Sequence, residues 1–235
     1  MFAYELKRTK RKTIGIKITT EGAVIVMAPS YVSEREIKKV LKTKENWVEK
    51  KKIEIKKAKE QMAGDLAFLK ERLFYLGQLY QVDVVLEPEF LKPSVGLYGE
   101  KIYIMVPSFE EKEMKMMLEQ WYRMEAKKII VDRVALYQEQ IGVLVNQIRI
   151  KEQKTRWGSA SSKGNLNFNW KLVMAPLEVL DYVVIHELCH LKEMNHSSAF
   201  WKLVKQYDPD YKEHRNWLKE KGILLNSSIQ QLTLL

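Results

Sequence analysis

Three of the chain's four histidines fall between Ile185 and His196, and a glutamate stands directly after the first of them. Residues four apart on an α-helix lie on one face a turn apart, so His186 and His190 can converge on a single ion. In this His-Glu-x-x-His arrangement two imidazoles hold Zn²⁺ and the carboxylate, here Glu187, acts as general base toward water. Glu187 is the base and not a ligand, because one step along a helix turns its side chain about 100° away from the ligand direction. Catalytic zinc takes three protein ligands and keeps a fourth position open. His196 supplies the third nitrogen, with Glu213 and His214 as alternatives further on. For His196 to return to the ion, the helix must end or bend after Leu191. Asn195 is suited to a left-handed conformation there, and Ser197 to capping the next helix.

The chemistry expected of such a set is hydrolysis of an amide in a peptide or protein substrate. The ion lowers the pKa of water toward neutrality and polarises the carbonyl, while Glu187 moves the proton to the leaving amine. An outward-facing edge strand beside the helix would hold the substrate backbone by strand addition, and Asn165, Asn167 and Asn169 are the expected substrate-binding residues. Arg156, Tyr207, Tyr211 and His214 remain open choices for the group that stabilises the oxyanion.

The elements that must position these residues read as an α+β chain in two parts, a β-rich region over 1–107 with a basic helix, and a second domain over 108–235. Residues 2–28 alternate as antiparallel strands turning at Glu21-Gly22. Ser33 and Glu36 have capping-box spacing and open a helix through Ile37, Leu41 and Val48, which runs on into a lysine-rich stretch to Glu60. Strands return from Arg72 to Val106, with a turn at Gly77, a break at Pro88 and a hairpin closed by Tyr98 to Lys101. A long helix follows over 109–141 with Gly142 as its stop. Gln147 to Lys151 reads as a strand, and Trp157 to Trp170 as a hairpin turning at Lys163-Gly164. The histidine helix starts near Pro176, and two closing helices follow, the second stopped by Gly222.

Composition narrows the setting. At 235 residues and 46% hydrophobic, the chain can bury a substantial core. No run approaches the roughly 18 apolar residues of a membrane span, and the basic start lacks the apolar region of a secretory signal, so a cytoplasmic protein is expected. The single cysteine, Cys189, excludes an intramolecular disulfide framework. Charge is uneven. Residues 1–60 carry 17 Lys+Arg against 8 Asp+Glu, whereas residues 61–235 carry 23 against 22. Any DNA association would therefore act through the N-terminal region, with Lys50 to Lys59 the expected contact.

Residues 154–201 carry a family resemblance. Lys154-Thr155-Arg156-Trp157-Gly158-Ser159, Asn165 to Leu172, Asp181 to Leu191 and Asn195-His196-Ser197-Ser198-Ala199-Phe200-Trp201 resemble the YgjP-like branch of the SprT/Wss-type zinc metallopeptidases. The resemblance implies a minimal zincin-like domain over 108–235, with a long backing helix, a small mixed or antiparallel sheet, the active-site helix and C-terminal helices. It also implies zinc on His186, His190 and His196 with Glu187 as base. Ala160 stands where the family commonly has Cys, which argues against a thiol function there. Glu193 stands where metzincins have Gly, so the turn to His196 is made differently. Related eukaryotic proteases act on DNA–protein crosslinks. The competing reading is a non-catalytic zinc module that binds nucleic acid or protein through its basic N-terminal part, in which Glu187 would have no role.

Overall fold

The structure is a computed structural model describing residues 2–18, 23–53, 71–86, 92–153 and 155–231, the side chains at 226–228, 230 and 231 excepted. The expected turn at Glu21-Gly22, the break at Pro88 and most of the lysine-rich stretch lie outside the described residues. The chain divides into two compact units, Met1–Asp65 and Leu66–Leu235. This differs from a division at 107/108. The strands between 72 and 106 contribute Leu73, Ile102 and Ile104 to the same core as the long helix and the histidine helix, so a boundary after 107 would cut through one hydrophobic cluster.

In the first unit, β1 (Glu5–Thr9), β2 (Gly15–Ile18) and β3 (Val24–Pro29) form a sheet of order β1-β3-β2. β3 alternates Val24, Val26 and Ala28 into the core, and this makes it the central strand. It pairs antiparallel with β2 as expected but parallel with β1, because the chain crosses from one edge of the sheet to the other between β1 and β2. The capping box forms at α1 (Glu34–Thr43): Ser33 Oγ accepts from the Glu36 amide at 3.3 Å, and Glu36 Oε2 accepts from the Ser33 amide at 2.9 Å. Ile37 and Leu41 from α1, and Val48 from the helical stretch α2 (residues 45–53), complete this small core.

The second unit begins with β4 (Arg72–Tyr75), β5 (Gln78–Leu86), β6 (Ser94–Tyr98) and β7 (Lys101–Val106), in order β4-β5-β7-β6 with β5 and β7 parallel. Leu76 and Gly77 both have positive φ, 48° and 80°, as a tight two-residue hairpin requires. The turn is pressed against the lead-in to the histidine helix. Leu76 and Gly77 donate to the carbonyls of Val173 and Met174, and a Cβ on Gly77 would lie 2.8 Å from Pro176 Cγ.

Helix α3 (Glu111–Ile141) backs the unit, burying Met114, Leu118, Trp121, Tyr122, Ala126, Ile130 and Val134 at three- and four-residue steps and ending on left-handed Gly142. β8 (Gln147–Lys151), β9 (Gly158–Ala160) and β10 (Asn165–Asn169) form a sheet of order β8-β10-β9. A buried 3₁₀ turn, Trp170–Met174, leads into α4 (Leu177–Cys189), followed by α5 (Ser198–Tyr207) and α6 (Tyr211–Gln231). Arg133 of α3 grips Asp181 of α4 through Nε and one terminal nitrogen, both at 2.6 Å, and the Tyr137 hydroxyl joins at 3.1 Å. Gly222 does not stop α6. It sits mid-helix where a Cβ would come 2.7 Å from the Trp157 ring, so its small size serves the packing of α6 on the residue preceding β9.

Candidate active site

α4 is apolar on nearly every side, with Val179, Leu180, Val183, Val184, Ile185 and Leu188 buried, so the polar groups on it are held among hydrophobic neighbours. The helix ends at Cys189, slightly earlier than expected, with His190 as its cap residue. The chain then turns back through short-range bonds: Leu191, Lys192 and Glu193 donate to Leu188, Cys189 and Cys189 carbonyls, and Ser197 donates to Asn195. Asn195 does not adopt the left-handed conformation expected of it, since among the described residues Leu76 is the one non-glycine with positive φ. Ser197 does cap α5, its side chain accepting from the Phe200 amide.

This turn brings His196 back over α4. One ring nitrogen from each of His186, His190 and His196 can be chosen so that all lie within 4.8 Å of one another, and the Nε2 atoms of His186 and His196 are 3.0 Å apart. The Glu193 carbonyl faces His190 Nδ1 at 3.1 Å; a carbonyl can only accept, so Nδ1 carries the proton and Nε2 is bare. His186 Nδ1 is buried without a hydrogen-bond partner, while its Nε2 is the atom turned to His196. Burial, reinforced by His190 and His196, pushes His186 down to about 3, and burial also lowers His190, so both rings are neutral. Three converging imidazole nitrogens suit a divalent metal. Phe200 stacks on His190 and Trp201 on His196, with ring centroids 4.5 and 5.6 Å apart.

The alternatives for third ligand are otherwise engaged or outside the cluster. His214 Nδ1 lies 3.0 Å from Asp208 Oδ2, and Glu213 belongs to no such group among the described residues. Cys189 is fully buried, and burial raises its thiol to about 12, so it stays protonated and apolar in character.

Glu187 is 6% exposed and faces β9. A Cβ on Gly158 would lie 2.6 Å from Glu187 Oε1 and 2.7 Å from its Cγ; only glycine leaves room for the carboxylate. Burial pushes Glu187 up to about 8, with the Arg156 charge pulling the other way. A group titrating there can both take and give a proton near neutral pH.

The expected substrate strand is corrected. β10 is the middle strand, paired on both sides, so it has no edge to offer. Its asparagines serve the fold: Asn165 accepts from Asn146, Asn167 donates to Ser159, and buried Asn169 donates to the Gln153 carbonyl while capping the 3₁₀ turn. The edge strand beside α4 is β9.

These residues open onto a cavity of about 630 Å³ lined by the three histidines, Glu187, Arg156 to Ala160, Tyr182, Val183, Met194, Arg215, Leu218 and Lys219. Of the expected oxyanion groups only Arg156 lines it. Tyr211 instead stacks on Trp201, and His214 pairs with Asp208. Tyr182, Arg215 and Lys219 were missed. Tyr182 stands four residues before His186 and so shares its helix face, a spacing visible in the sequence; Arg215 and Lys219 reach the cavity from α6 and leave no local signal. Burial raises the Tyr182 hydroxyl to about 12, against a lowering by Arg215, which keeps it a donor.

The model of the YgjP-like, metallopeptidase domain matches residues 12–221, and the chain belongs to that family. A protein of Escherichia coli (strain K12) called UTP pyrophosphatase is 31% identical over 94 residues, covering 37% of this chain and 56% of that protein. The crystal structure of the metallopeptidase zymogen of Pyrococcus abyssi abylysin is 25% identical, covers 45% of this chain and 99% of that one, and has a TM-score of 0.36. The family is one of metallopeptidase domains, and His186, His190 and His196 form a group that could hold a metal ion. DNA association gains no support from these likenesses. No helix among the described residues is long and apolar enough to cross a membrane.

Proposed function

We propose that the chain is a zinc-dependent peptidase in which His186, His190 and His196 hold the ion and Glu187 is the general base. The observation that carries this reading is the seating of Glu187 on Gly158, beside three ring nitrogens within 4.8 Å of one another. Zinc, when bound, supplies the Lewis acidity that brings the pKa of water toward neutrality and polarises the substrate carbonyl. Glu187 takes the proton of the attacking water and delivers it to the leaving amine. Tyr182, 6% exposed and lining the cavity, donates a hydrogen bond to the carbonyl oxygen as negative charge develops there. The substrate backbone adds to the open edge of β9, a role moved here from Asn165–Asn169. A structural zinc site usually closes all four positions on protein ligands, and here a large cavity adjoins the histidines.

Metal analysis joined to digestion of a peptide library, wild type beside Glu187→Gln, tests the proposal. The variant should keep zinc and lose hydrolysis; equal activity in both proteins would falsify the assignment of Glu187. A second reading has one observation in its favour. Arg156, Arg215 and Lys219 line the cavity, as suits a polyphosphate, and the Escherichia coli relative is called UTP pyrophosphatase. Release of pyrophosphate from UTP by the same two proteins separates the readings.

A further inference from the structure

The cavity beside the histidines carries a charge that its surroundings do not. Residues 61–235 are nearly balanced, with 23 Lys+Arg against 22 Asp+Glu. Several cations elsewhere in the second unit meet carboxylates. Arg123 meets Glu119 and Glu152, Arg133 meets Asp181, Lys101 meets Asp83, and Lys171 meets Glu152. Arg156, Arg215 and Lys219 differ. All three are exposed and line the cavity, no carboxylate pairs with any of them among the described residues, and the one acidic side chain lining it is Glu187.

Two separate elements supply these charges. Arg156 precedes β9, the edge strand, and Arg215 and Lys219 stand four apart on α6, hence on one face of that helix. Arg215 is also oriented, its guanidinium carbon lying 5.1 Å from the centre of the Trp201 ring. Cations converging from two elements without a carboxylate in ion-pair contact present a demand for negative charge to whatever enters.

We infer that this face of the cavity is a subsite for substrate carboxylates, so the preferred peptides carry Asp or Glu close to the bond that is cut. The inference rests on the peptidase reading above and adds the substrate class. A basic residue at the same place meets three like charges and is rejected.

Binding to the full-length Glu187→Gln protein tests this without depending on turnover. One peptide is made in three versions, with Glu, Gln or Lys flanking the central bond, and Kd is measured at low and high salt. The Glu version should bind roughly tenfold more tightly than the Lys version at low salt, and the gap should shrink as salt rises. Lys219→Glu and Arg156→Glu, each checked for an unchanged melting temperature, should narrow or reverse the order; neither touches Trp201, as Arg215 does. Equal Kd for the three peptides overturns the inference. So does UTP binding that both charge reversals weaken while the peptides bind alike, since the cations would then serve phosphate. If the order of Kd holds but wild type cuts none of the peptides, the subsite stands and the peptidase reading falls.

Discussion

A methyl group placed on Gly158 would lie 2.6 Å from Oε1 of Glu187. The strand and the carboxylate are thus fitted to each other, and their separation is set by the absence of a side chain at one position. Gly158→Ala must push Glu187 aside, because the neighbours of Gly158 in the sheet are held by antiparallel pairing to β10. The expected outcome is retained metal content with peptide hydrolysis reduced on the order of 100-fold or more, since displacement of a catalytic group by about 1 Å costs that much. Metal analysis and kinetics on the same preparation check it.

Tyr182→Phe removes a hydroxyl that no described residue engages in a hydrogen bond, so folding should be untouched. If that hydroxyl donates to the developing oxyanion, kcat should fall on the order of 100-fold with KM little changed. A fall confined to KM would assign Tyr182 to substrate binding instead.

The metal-free protein should show the buried carboxyl in its stability. Glu187 is raised by burial from 4.5 to about 8, so between these values the unfolded chain has released a proton that the folded chain keeps. Stability from this group is therefore fully present at low pH and lost as pH rises through about 8. Melting temperatures of chelator-treated wild type and Glu187→Gln should agree near the lower value and diverge upward in pH, wild type falling relative to the variant. Parallel curves across that range would remove burial as the cause.

Arg133→Ala leaves Asp181, 9% exposed, with only the Tyr137 hydroxyl for company. Loss of one partner of this partly buried bidentate pair should lower the unfolding free energy by about 2 kcal/mol, read as a shift in urea midpoint. Activity per folded molecule should persist, since the pair joins α3 to α4 a full turn before His186.

What could be read from the sequence follows the range of the interaction. The Ser33–Glu36 capping box, the Ser197 cap and the i, i+4 histidines depend on neighbours a turn away, and each was legible. Gly142 and Gly222 look alike as helix stops, yet one is a left-handed cap and the other continues the helix against Trp157, a contact 65 residues distant in sequence. Strand order is equally non-local. Nothing in the alternation of Asn165–Asn169 tells that β8 covers its far edge, so a central strand was mistaken for an edge. The core shared by β4–β7 with α3 and α4 likewise joins segments that the change from strand to helix pattern divides at 107. The cations of α6 reach the cavity only through tertiary packing, whereas Tyr182 shared its helix face with His186 and was overlooked.

The stacking of Trp201 on His196 gives the site an optical gauge. The indole lies nearly parallel to that imidazole, at 22°, and on its other neighbour Tyr211 at 19°. If His196 takes part in holding an ion, uptake and release of metal should register in tryptophan emission without any added dye. Because Tyr211 opens α6, the same stack ties the exposed turn that holds His196 to the longer of the two C-terminal helices.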